Sequence, residues 1–166
     1  MVTFKSTRGY TLTEMLLVVA ILGILSTVGA QLMVQTNRYW LLTSTRADLQ
    51  KEARPIMYIL TRNLRQAQSA TIVIDRASTS QPFYTRITFT KVQGTSMTFH
   101  QNGNQLIQTV GTSTKILSKN VRYLSFNFPR SDDMTILSVA LTLEKTIYEG
   151  KKKALQMASE KVRVMN

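Results

Sequence analysis

Glu14 is a carboxylate placed at the mouth of an apolar run. It follows Gly9-Tyr10-Thr11-Leu12-Thr13 and opens onto Met15-Leu16-Leu17-Val18-Val19-Ala20-Ile21-Leu22-Gly23-Ile24-Leu25. Even gentle insertion scales assign an acidic side chain about 2.5–3.5 kcal/mol at the centre of a bilayer, so a carboxylate here needs a compensating group. Nothing inside the apolar run supplies one. The sequence therefore predicts a partner from outside the run, with another molecule as one source. The chemistry in view is charge neutralisation at low dielectric, not bond making. The remaining reactive residues agree. His100 is the only histidine and cysteine is absent, so no Ser-His-Asp set and no metal-ligand spacing can be assembled. Asp132-Asp133 reads as a turn pair and is too small a cluster for a calcium loop. No catalytic residue, cofactor or metal is expected.

The element that must position Glu14 is a helix. Leu12 to Val34, at about 1.5 Å per residue, is long enough to cross a hydrocarbon core of roughly 30 Å. Beyond it Leu42, Leu49, Ala53, Ile56, Leu60, Leu64 and Ala67 recur at the spacing of one helical face, and Asp48, Lys51, Arg54, Arg62 and Arg65 fall opposite. These patterns predict one helix from about Thr11 to Gln68, with its first half in lipid and its second half amphipathic. Pro55 lacks a backbone donor and predicts a kink, or a short break near Arg54. Lys5 and Arg8 precede the span with no acidic residue before Glu14, which orients the N-terminus to the cytoplasm. Two simpler readings compete. A secretory signal would use Thr27-Val28-Gly29-Ala30 as its exit, but Glu14 at the entrance and the continuing helical pattern oppose it. A plain single-span anchor is the other.

The register of these features resembles type IV prepilins and type II secretion pseudopilins. The residues that carry the likeness are the short basic leader Met1 to Gly9 (Lys5, Arg8), the Gly9-Tyr10 junction, Glu14 as the fifth residue after it, and the apolar helix. The resemblance implies that a prepilin peptidase/N-methyltransferase cuts after Gly9 and methylates Tyr10, where the family usually has phenylalanine. It also implies that Glu14 pairs with the N-terminal amine of a neighbouring subunit during assembly. Gly23 matches a glycine that type IV pilins often carry, whereas Gln31 stands where the family has a proline.

After Ala70 the period changes. Thr71 to Ile74, Tyr84 to Val92, Ser96 to His100 and Gln105 to Val110 are short, β-branched runs separated by turn signals, Asn102-Gly103 being the clearest hairpin. Val121 to Phe128 reads as a strand with Val121, Tyr123 and Ser125 on one face and Leu124, Phe126 and Phe128 on the other. A loop at Pro129 to Asp133 follows, then strands at Thr135 to Glu144 and Lys161 to Met165. The fold class is α+β, a long N-terminal helix packed on a mostly antiparallel sheet, as in type IV pilin-like proteins. Three segments follow: a leader at 1–9, a transmembrane or assembly half at 10–37, and an exported domain at 38–166.

Leu49 to Ala67 and the ending Glu160 to Asn166 also resemble, more loosely, J-class minor pseudopilins and minor pilins. The resemblance implies a subunit that starts or caps a type II secretion pseudopilus or a type IV pilus. Its implied partners are other minor and major pilins or pseudopilins, an inner-membrane assembly platform, and the membrane lipid itself. The globular part would face the periplasm of a bacterial cell. A rival comes from charge. The net charge of +12 suits anionic surfaces, and Tyr84-Thr85-Arg86 and Arg122-Tyr123 place aromatics beside arginines as single-stranded DNA binding requires. This would make the chain a DNA-binding minor pilin of natural transformation. Against it, the cations are scattered and only Lys151-Lys152-Lys153 cluster, so the sequence favours a solvated basic surface.

Overall fold

One helix, α1 (Leu12–Arg65), precedes eight strands in the computed structural model, which describes residues 9–148 and 152–164. The chain divides into two units, one ending at Leu41 and the other beginning at Leu42. In the first, every described residue up to Trp40 is exposed, including the whole apolar stretch. Hydroxyls in this stretch turn back onto the helix: Ser26 Oγ donates to the Leu22 carbonyl at 2.7 Å and Thr36 Oγ1 to the Leu32 carbonyl at 2.8 Å. Polar side chains satisfied in this way are compatible with a hydrocarbon surrounding.

In the second unit the helix packs on antiparallel sheet. Leu49, Ala53, Ile56, Met57, Leu60 and Leu64 are buried, the 3–4 residue spacing of one face. The opposite positions Asp48, Lys51, Arg54, Arg62 and Arg65 are exposed, as the pattern predicts. The expected break near Arg54 does not form, because α1 continues through Pro55. Pro55 and Lys51 are both exposed, so the carbonyl deprived of its partner can reach water. Ala53, Ile56 and Met57 meanwhile fix the turns on either side in the core. The helix ends slightly before Gln68. Gln66 and Ala67 donate to carbonyls three residues back, and Ala67 then bridges to Lys91.

The strands form two sheets where the sequence suggests one. β1 (Val73–Asp75), β2 (Arg86–Thr90), β3 (Ser96–Asn102), β4 (Gln105–Val110) and β5 (Ser113–Ser118) make a sequential antiparallel meander. β6 (Val121–Asn127), β7 (Ile136–Tyr148) and β8 (Lys152–Arg163) make a second. Ile87, Phe89, Phe99 and Leu106 from the first sheet share one core with Leu124, Phe126, Leu137, Val139, Leu141 and Leu143 from the second, and with the helix. Burying each such side chain is worth about 1.5–3 kcal/mol. The β3–β4 hairpin pairs Asn102 with Gln105, leaving Gly103 and Asn104 as a two-residue loop. Gly103 has φ +56°, the left-handed value that a first central position needs and glycine tolerates.

Three sequence expectations need correction. A register shift between Val121 and Tyr123 turns Val121 inward beside Leu124 and Phe126, so simple alternation fails in β6. Thr71 lies in a 3₁₀ turn at Ser69–Thr71, and the strand begins only at Val73. The last strand is far longer than Lys161 to Met165, starting at Lys152; Met165 lies outside the described residues.

Gln101 joins the two sheets. It is buried at the end of β3, and its Oε1 accepts from the Leu124 backbone N–H at 2.9 Å. Its Nε2 donates to the carbonyls of Gly103 at 2.8 Å and Arg122 at 3.1 Å. Gln101→Leu keeps the volume but strands a buried amide, an expected loss of about 1–3 kcal/mol. Thermal denaturation of the two chains side by side measures it.

Candidate functional site: the helix start

The start of α1 is closed by a reciprocal pair. Thr11 stands just before Leu12 as the N-cap, and Glu14 occupies the third helical position. The Thr11 backbone N–H donates to Glu14 Oε2 at 2.8 Å, and Thr11 Oγ1 donates to the same oxygen at 3.0 Å. In return the Glu14 N–H donates to Thr11 Oγ1 at 3.3 Å. This is a capping box, and a first-turn carboxylate also suits the positive end of the helix dipole. The sequence places the partner of Glu14 outside the apolar run, and Thr11, just before the helix in the same chain, engages one oxygen from there. The signal was present in the Thr-x-x-Glu spacing. Glu14 Oε1 accepts no hydrogen bond among the described residues, so one carboxylate oxygen holds the helix start and the other is left unbonded on an exposed residue.

Gly9 and Tyr10 precede the helix, exposed and without regular structure. Nothing lies within 4 Å of where a Cβ on Gly9 would be, so the chain itself makes no demand for glycine there. Lys5 and Arg8 lie outside the described residues. Gly23 and Gly29 face open space in the same way. Arg38, Tyr39 and Trp40, exposed at the far end of the apolar stretch, escaped the sequence reading. A cation beside two aromatic rings is the composition of a membrane-interface anchor and was legible as such.

The residues that suggested nucleic acid are brought near one another but are engaged. Arg86 forms a two-point ion pair with Asp75, which holds that carboxyl below its usual range. Arg122 pairs with Glu144 and lies 5.2 Å from the centre of the Tyr123 ring, and Phe83 meets Tyr123 edge-on. Arg76, not Arg86, lies over Tyr84, at 5.7 Å. A phosphate would have to displace carboxylates from Arg86 and Arg122. His100 is half-buried on β3, opposite Arg86. Asp133 accepts from the Thr135 N–H at 2.9 Å as a turn residue, while Asp132 pairs with Arg130. No group of three metal-ligating residues occurs among the described residues.

Glu144 carries a pH dependence. The Lys153 ammonium, and then the Arg122 guanidinium, hold its carboxyl below the usual carboxylate range. A carboxylate depressed on folding contributes stability present above its unfolded value of 4.5 and lost as pH falls through the folded one. Thermal melts below pH 4.5 are expected to drop less steeply for Glu144→Gln than for the parent, with Asp75 and Asp133 supplying the remaining slope.

The family model described as the prokaryotic N-terminal methylation motif matches residues 4–30. The match takes in Gly9, Tyr10, Glu14 and the capped start of α1. The matched stretch, 27 of the 166 residues, is a likeness to the N-terminal motif of type IV pilin-like prepilins. A prepilin motif of this kind implies processing by a prepilin peptidase and assembly with other pilins. The helix packed on antiparallel sheets is the α+β arrangement of that fold. Among the described residues one helix is long and apolar enough to cross a membrane, which fits a membrane-anchored pilin. No curated protein and no solved structure matches the chain.

Proposed function

We propose that this chain is a minor pseudopilin or minor pilin, held in the bacterial inner membrane by the first half of α1 and cut between Gly9 and Tyr10. Tyr10 becomes the methylated N-terminus. The subunit then starts or caps a secretion pseudopilus or a type IV pilus. The observation that carries this reading is the unbonded Oε1 of Glu14 at the capped start of an uncovered apolar helix, within the matched motif. In a low-dielectric surrounding that oxygen is positioned for a cation from a neighbour, whose terminal amine is the group the motif supplies. Unmatched charge there is costly, and a paired one sets register. Tyr39 and Trp40 support membrane exit near residue 40. The unit from Leu42 onward would supply contacts at the filament tip, facing the periplasm.

Crosslinking in native membranes, followed by mass spectrometry of the attached chains, tests this. Other minor pseudopilins and a secretion platform are the expected captures. A major pilin with competence proteins would move the subunit to a DNA-uptake pilus. An intact leader with no pilin-like partner would overturn the proposal.

A further inference from the structure

β8 leaves one edge of its sheet unpaired: among the described residues it bonds only to β7. Beside that edge a groove of about 620 Å³ opens between β8 and the second half of α1. Gln156, Ala158 and Glu160 of β8 line it and no residue of β7 does, so it lies at the free edge of the sheet. Its floor is apolar and small, with Ala53 and Met57 of the helix against Ala158. Arg54, Arg62 and Arg65 stand along the helical wall, exposed, and none lies within ion-pair distance of a carboxylate among the described residues. That sets them apart from Arg86, Arg122 and Arg130, each of which holds one.

We propose that this groove takes an extended, acidic segment of a partner protein, which adds to β8 as a further strand. Three features select that occupant. An unpaired edge offers backbone donors and acceptors that only an extended chain can match along its length. The centre of β8, Ala154 to Ser159, carries no charge; Lys153 before it is paired with Glu144, and Glu160 and Lys161 follow it. The charge that favours an acidic strand is that of the unpaired Arg54, Arg62 and Arg65, three cations against the one carboxylate of the lining, Glu160. The spacing also agrees. Arg54 and Arg62 are two i+4 steps apart on α1, about 12 Å along the axis, and four strand residues span about 13.5 Å. Acidic side chains on one face of the added strand would therefore meet both arginines. On its other face the neighbours are Leu155 and Met157, both exposed, so apolar side chains belong there. The segment so defined alternates acidic and apolar residues. A second copy of this chain fits poorly, since nine acidic residues against 21 basic ones leave two copies mutually repulsive.

The test uses the full chain in detergent micelles and a labelled eight-residue peptide alternating glutamate and valine. Fluorescence anisotropy reads binding, and hydrogen exchange with mass spectrometry reads amides of the chain. The peptide is expected to bind and to slow exchange across residues 154–161. Arg54→Glu with Arg62→Glu is expected to weaken binding about tenfold or more; both positions are exposed and helical, so the fold survives. A lysine–valine peptide is expected not to bind. Equal binding by a proline-interrupted peptide, with no protection on β8, would show a diffuse polyanion surface and overturn the proposal. Concentration-dependent protection of β8 without peptide would make a second copy the occupant and overturn it as well. Neither readout depends on cleavage at Gly9.

Discussion

Gly9→Leu is expected to leave a folded, membrane-inserted chain that is never shortened. Gly9 lies outside α1, exposed, with open space around its Cβ position and no left-handed φ. The chain itself therefore tolerates leucine there. A requirement for glycine at this position must come from a molecule that approaches the backbone closely, as a peptidase cleft does. A branched side chain that displaces the scissile bond by about 1 Å costs on the order of a hundredfold in rate. Intact-mass analysis of membranes is expected to show the full-length chain alone, and Gly9→Ala, with its single methyl, a mixture. A mature chain beginning with N-methyl-Tyr10 from Gly9→Leu would refute the assigned bond. The same result would separate processing from folding, since thermal stability of the part from Leu42 onward is expected to match the parent.

The helix was the most legible part of this chain, and for a physical reason. Its buried positions repeat at 3–4 residues and its charged positions fall opposite, so local period and tertiary burial agree from Leu49 to Leu64. At Pro55 local propensity and tertiary packing disagree, and Ala53, Ile56 and Met57, buried on both sides, hold the helix. β5 was missed because Ser113, Thr114, Lys115 and Ile116 are all exposed; an edge strand buried only at its end shows no alternation. Most of β8 was missed for the opposite reason. Lys153-Ala154-Leu155-Gln156-Met157-Ala158 is built from good helix formers, and only pairing with β7 draws it into a strand. The two-sheet division was not legible because pairing between strands is non-local, and the link between the sheets is Gln101, a polar residue whose burial depends on where β6 crosses. At the helix start the sequence identified Glu14 but not what holds it. The Thr11 cap follows the Thr-x-x-Glu spacing, a local bond that the membrane cost of the carboxylate does not report.

That bond changes what a test of Glu14 must contain. Glu14→Ala removes two things together, the capping box and the charge, so its failure alone would not say which matters. Glutamine at the same position can still reach back to the Thr11 N–H, because capping boxes accept either residue. It carries no charge for a neighbour's amine. Loss of the cap is worth about 1 kcal/mol to a helix start. Leaving a partner's buried cation uncompensated costs about 3–5 kcal/mol. The charge should therefore dominate. Both variants are expected to be cut after Gly9 as the parent is, and both are expected to be absent from crosslinked assemblies, with at least about a hundredfold less captured neighbour. Glu14→Asp tests the geometry: the charge stays but the shorter arm cannot span both roles, so capture is expected to fall between the parent and Glu14→Gln. Normal incorporation of Glu14→Gln with failure of Glu14→Ala would instead make Glu14 a helix cap alone. Register between subunits would then have to come from the apolar faces of α1.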